Sequence, residues 1–132
     1  MSRARNEQMF GTVRSAWIIL IAVVLVTFAN VMFKIRITAL GEGRSSPWFS
    51  YILSLALDPW VWLALIASVM AGLLYVVSLR QFELSVLEPL FALVFILVPL
   101  AAVVILGEHL PPVRIAGLVL IFVGVILVAR TA

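Results

Sequence analysis

Cysteine is missing from this 132-residue chain, which excludes a disulfide framework, a thiolate metal site and thiol redox chemistry. Histidine occurs once, as His109 in a short loop, and one imidazole cannot make a zinc site. Charge is scarce as well: 11% of residues are charged, against 65% hydrophobic. The 9 basic residues exceed the 6 acidic ones, but they stand singly at segment ends instead of in a run. That spacing offers no groove-tracking patch for nucleic acid, and suits anchoring at a membrane surface. No His-x-x-x-His pair, no carboxylates paired at one depth, no phosphate loop and no nucleophile–base–orienter set is present. An enzyme is therefore not expected, nor a metal or other cofactor.

What the chain has in abundance is apolar sequence. Four long runs cover about Ser15–Ile37, Trp60–Leu79, Leu84–Leu106 and Val113–Ala129. Each is close to the ~20 residues a helix needs to cross a hydrocarbon core at 1.5 Å per residue. So much apolar surface cannot be buried in one soluble core of this length. The expected fold is all-α: a polytopic membrane protein of four transmembrane helices, up-down-up-down, forming a single membrane domain over residues 1–132.

The basic N-terminus (Arg3, Arg5, Arg14) ahead of an apolar run has the look of an export signal. The run is longer than an h-region of about 7–15 residues, and three more spans follow it, so a first transmembrane helix is expected instead. Residues 1–14 are expected to form a polar, mobile tail, and Gly41 with Gly43 to stop the first helix. Residues 47–57, with Pro47, Trp48, Phe49 and Tyr51, are too short and too aromatic to span. They suit a helix lying along the headgroups, the alternative being an irregular loop with an aromatic anchor. Asp58-Pro59 is an acidic cap with proline at the first helical position, and Pro111-Pro112 opens the fourth run in the same way. Short connections after the second and third runs make helices 2, 3 and 4 antiparallel neighbours. With the N-terminus inside, the inner side holds Arg3, Arg5, Arg14, Arg80 and Arg130, and the outer side Arg36, Arg44 and Arg114. This slight bias predicts a cytoplasmic N-terminus and leaves dual insertion with antiparallel pairing open.

Ionisable groups inside membrane spans are costly and mark function, which singles out Lys34 and Glu88. Thr27, Asn30, Lys34 and Thr38 follow helical spacing, so they share one stripe of the first span. A polar stripe facing lipid is costly, so it should face other helices or a water-filled cavity. A lysine there suits an anionic phosphate as a hydrated point charge, although one near a span end can also simply snorkel to the surface. Glu88 precedes Pro89, which disfavours helical geometry at the glutamate and predicts a bent helix start. Its carboxylate could carry a proton, meet a cationic group or pair with a basic residue; the alternative is a first-turn carboxylate on the helix dipole. By helical rise Lys34 and Glu88 lie roughly 20 Å apart within one protomer, but at one level in an antiparallel dimer. Ser68, Gly72 and Tyr75 share a face of the second span, where small residues allow close approach. Gly117, Ile121 and Gly124, with Ala116, offer a seam on the fourth span, for a dimer interface or for internal packing. Phe91 and Phe95 suit plain packing, or one of them a cavity for an apolar or prenyl group.

These residues carry a resemblance. Leu84-Ser85-Val86-Leu87-Glu88-Pro89-Leu90 is similar to the start of the third helix in four-helix members of the drug/metabolite transporter superfamily. Leu106-Gly107-Glu108-His109-Leu110 and Gly117 through Val125 resemble that superfamily's Gly-Glu-x-Leu loop and glycine-bearing last helix, and Asn30 to Lys34 its polar–lysine pair. Small multidrug resistance transporters in it carry a first-helix glutamate eight residues before the lysine, where this chain has Val26. The chain looks more like the small subunits that flip undecaprenyl-phosphate-linked aminoarabinose across the bacterial inner membrane, which lack that glutamate. The resemblance implies a homodimer, or a heterodimer with a similar small subunit, that moves a lipid-linked sugar head through a polar cavity. It implies that Lys34, with Arg36, holds the phosphate, that Asn30 and Thr27 meet sugar hydroxyls, and that Glu88 meets an amino group or a proton. Tyr75 and Phe91 join this candidate site. The alternative is a proton-coupled exporter of cationic or amphipathic compounds.

Overall fold

The computed structural model describes the backbone of residues 2–41 and 47–131 and the side chains of residues 16–41 and 47–131. Gly43 and Arg44, and the side chains of Arg3, Arg5 and Arg14, lie outside the described residues. Six helices and no strand occur among the described residues. The first, α1, runs over Ser2–Gly41. The expected polar tail is thus corrected: from Ser2 the backbone is already helical. Arginine, alanine, glutamate, glutamine and methionine favour helix, and no proline interrupts them.

Helix α2 covers Trp48–Ala56 and buries none of its residues. Trp48, Phe49, Ile52 and Leu53 point outward, as expected of a helix along a headgroup layer. Two hydrogen bonds tether it. The Tyr51 hydroxyl donates to the Ile37 carbonyl of α1 at 3.0 Å, and the Trp62 indole donates to the Ala56 carbonyl at 2.7 Å. Helix α3, Pro59–Ser78, starts as its Asp-Pro signal predicts, with the Asp58 carboxylate accepting from the Trp60 amide at 2.8 Å.

The third apolar run forms α4 (Leu84–Phe91) and α5 (Val94–Leu106). The bend does not fall at Glu88-Pro89, since both residues are helical. It comes one turn later, where bonds from Leu93 to Leu90, Phe95 to Ala92 and Ile96 to Leu93 tighten to three-residue spacing. Pro89 and Pro99 each remove a backbone donor on either side of the break, which favours a kink between them. Gly107 ends α5 with φ 67°, a left-handed conformation that glycine adopts without steric cost. Helix α6, Pro112–Ala129, follows the Pro111-Pro112 start.

Four stretches are long and apolar enough to cross a membrane: Ala16–Gly41, Pro59–Ser78, Leu84–Leu106 and Pro112–Ala129. Their outer surfaces are apolar, with Val113 84% and Val104 82% exposed. Exposed apolar surface on this scale needs lipid as its solvent, and the chain is a multi-pass membrane protein.

Lipid gives helices no hydrophobic reason to associate, so close packing must hold them. Helix α1 packs chiefly on α3, through a seam of buried alanines that sets Ala29 against Ala64 and Ala67; Ala22 of α1 and Ala71 of α3 are buried as well. Gly72, expected to allow close approach here, is instead exposed, and a methyl group added to it would meet nothing within 4 Å. Alanine on the adjacent face makes the contact. A second cluster joins Ile19 and Val23 of α1 to Leu87 of α4, with Tyr75, Phe91 and Leu97 packed around it. These two clusters place α1 at the centre, its polar stripe turned away from α3.

Candidate functional site

Two ion pairs sit at the end of the bundle where α1 finishes, and they differ in kind. Arg36 donates from Nε to Asp58 Oδ2 at 2.8 Å and from Nη2 to the same oxygen. The Asp58 side chain is only 4% exposed, and it also caps α3. This arginine, a candidate phosphate holder by sequence, is therefore engaged in fixing α1 to the start of α3. The Arg36 hydrogen bond holds the Asp58 carboxyl below its usual 3.8. A depressed folded-state value stabilises the fold above 3.8, and the contribution is lost as pH falls through the depressed value. Asp58→Asn should accordingly lower the thermal midpoint in detergent at pH 7, with the gap to wild type closing as pH drops below 3.8.

The second pair is loose. Lys34 Nζ lies 3.9 Å from Glu108 Oε1, with the side chains 58% and 41% exposed. That distance compensates charge but exceeds the 2.7–2.9 Å of a charge-assisted hydrogen bond. Glu108 reaches Lys34 because Gly107, in its left-handed conformation, turns the chain out of α5 immediately before it. Sequence reasoning missed Glu108 as a site residue; the available signal was a carboxylate set directly behind an apolar run and a glycine stop.

Below this pair lies an apolar cleft of about 470 Å³ between α1 and α5. Val24, Thr27, Phe28 and Val31 form one wall, and Leu97, Leu100, Ala101, Val104 and Ile105 the other. Val31 precedes Lys34 by one helical turn on α1, and on the other wall Glu108 follows Ile105 just past the Gly107 stop of α5. The Thr27 hydroxyl donates to the Val23 carbonyl at 2.8 Å, leaving its lone pairs for an acceptor role in the cleft. Asn30 is exposed and makes no hydrogen bond to a described residue. Thr38 is exposed one turn beyond Lys34.

At the cleft's other end, Tyr75, Glu88 and Phe91 come together. The Tyr75 hydroxyl donates to Glu88 Oε1, and the Phe91 ring meets the Tyr75 ring edge-on at 5.0 Å. Leu97 packs with Tyr75 and Phe91 on the Ile19–Val23–Leu87 core and also lines the cleft. Lys34 and Glu88 do not meet: each has its own partner, at opposite ends of the cleft. On α6, Gly117 is half-buried and Gly124 exposed, and an added methyl at either would meet nothing within 4 Å. Ile121, between them, is half-buried. No group of three metal-ligating side chains occurs among the described residues.

The chain is similar to a protein of Pseudomonas aeruginosa named "Probable 4-amino-4-deoxy-L-arabinose-phosphoundecaprenol flippase subunit ArnE". Identity is 40% over 75 residues, which is 57% of this chain and 65% of the relative. A protein of the same name from Pseudomonas paraeruginosa is 37% identical over the same length. The chain thus matches just under two thirds of the length of these curated relatives. No family model matches the chain, and no solved structure matches it significantly.

Proposed function

We propose that this chain is a subunit of a small membrane transporter that moves a polyprenyl-phosphate-linked sugar across the bacterial inner membrane, not an enzyme. The observation that carries the proposal is the apolar cleft closing under a lysine. A lipid chain fits the first and an anionic phosphate the second. The relatives' names, which print an amino sugar on a phosphoundecaprenol, support the same substrate class.

In this mechanism the lipid chain lies between α1 and α5, and Lys34 takes the phosphate. Asn30 and Thr27, on the same stripe, meet sugar hydroxyls. Arg36 acts through Asp58 as a positioning residue that holds the end of α1. Glu88, with Tyr75 and Phe91, forms a second polar station at the far end of the cleft. Asn30 lies near the middle of its span, where an unsatisfied amide facing lipid costs several kcal/mol. A similar small subunit, or a second copy, is the natural cover for this stripe, and the open space at Gly117 and Gly124 of α6 supports pairing. The N-terminus is proposed to be cytoplasmic.

A proton-coupled exporter of cations has less support. Val26 stands where such transporters carry a carboxylate, and Glu88 is hydrogen-bonded to Tyr75. The test is reconstitution of the chain, alone and with a similar small subunit, into liposomes containing a labelled polyprenyl-phosphate sugar. Protein-dependent movement of the headgroup between leaflets is expected. Absence of movement, with uptake of a cationic dye driven by a pH gradient, would establish the exporter instead.

A further inference from the structure

We propose that Glu108 is the residue that selects an amino-bearing headgroup, by exchanging its contact with Lys34 for a salt bridge to the substrate's primary amine. The inference rests on the lipid-phosphate transport proposed above and adds a specificity determinant to it. The argument begins with the contrast between the two ion pairs. Arg36 and Asp58 are hydrogen-bonded and the Asp58 side chain is 4% exposed, so inserting a third group there would strand a desolvated charge. Lys34 and Glu108 are accessible, and 3.9 Å apart they make no hydrogen bond to each other. Among the described residues neither has another polar partner. No hydrogen bond among the described residues therefore occupies the three ammonium protons or the two carboxylate oxygens.

Charge balance then decides which ligand. A headgroup with phosphate alone would draw Lys34 away and leave the Glu108 carboxylate uncompensated at the rim of an apolar cleft. It would also bring a second anion beside that carboxylate, and like charges repel. A headgroup with both a phosphate and a primary amine replaces each protein partner by one of equal charge. Phosphate binds the ammonium, and ammonium binds the carboxylate. No charge is left over. The cleft holds the lipid chain in either case, so Glu108 acts on the headgroup and not on the tail.

The experiment measures binding to the full chain, with its partner subunit where pairing is required, in phosphatidylcholine nanodiscs. Two probes are used: a short polyprenyl phosphate, and the same lipid carrying a 4-amino-4-deoxy pentose. Wild type is expected to prefer the amino lipid about tenfold, the worth of one charge-assisted contact. In Glu108→Gln the two affinities should move in opposite directions. The amino lipid binds less tightly and the bare phosphate lipid more tightly, because the competing carboxylate is gone, and the preference falls to within about twofold. Glu108→Asp should restore the preference. Equal loss of both lipids in Glu108→Gln would show a structural role and overturn the inference, as would a wild type without preference. Wild type binding neither lipid above phosphatidylcholine would overturn the transport proposal itself.

Discussion

Lys34→Ala should weaken binding of a polyprenyl phosphate about 10- to 100-fold, because a hydrogen bond to a charged group contributes about 1.5–3 kcal/mol and each 1.4 kcal/mol is tenfold. Headgroup transfer in liposomes should fall at least as far. The substitution removes the phosphate's cationic partner and also leaves Glu108 without a counter-charge beside the cleft. Adding Glu108→Gln to Lys34→Ala should therefore recover part of the loss, a coupling that a double-mutant cycle reads directly. Lys34→Arg keeps the charge and should retain measurable binding. A lysine that only snorkels to the surface would give a different pattern: Lys34→Ala would leave both binding and transfer within about twofold of wild type.

How far such residues could be found from sequence depended on how local their signal was. The four apolar helices were visible because each is one uninterrupted run, and lipid as solvent leaves no other home for them. Asp58 as a helix cap was legible from its own neighbour Pro59. Its partner Arg36 was not, because the contact joins residues 22 positions apart across a loop. The stripe from Thr27 to Lys34 followed from helical periodicity, but that periodicity says nothing about which element faces it. The α5 wall of the cleft and the Glu108 carboxylate come from another span. The break at Ala92–Leu93 was displaced by a turn from its expected place, since proline removes a donor locally while the kink forms where neighbouring packing allows. The helical start of α1 was missed for a simpler reason: a polar segment of good helix formers reads equally well as a tail.

Leu87→Ala should be the most damaging single truncation for stability. Leu87 is completely buried and carries the contact between α4 and the Ile19–Val23 face of α1. In water-soluble proteins Leu→Ala costs about 2.7–5.0 kcal/mol, part of it transfer from water and part the cavity left behind. In a membrane the transfer part shrinks, because lipid is as apolar as the core, so a cost of about 1–3 kcal/mol from lost packing remains. Thermal unfolding in detergent should show the lowered midpoint. Phe95→Ala is the control, since that ring is 65% exposed and exchanges one apolar neighbour, lipid, for another. The consequence extends to the site. Leu87 adjoins Glu88 in sequence, and its burial is what presses α4 toward α1 and α3, where Tyr75 reaches the Glu88 carboxylate. Loss of Leu87 should therefore loosen the Tyr75–Glu88 contact while leaving the Lys34–Glu108 end intact. Polyprenyl-phosphate binding at Lys34 should then stay within about twofold of wild type as stability falls. Equal costs for Leu87→Ala and Phe95→Ala would show that the α1–α4 cluster does not hold the kinked helix in place.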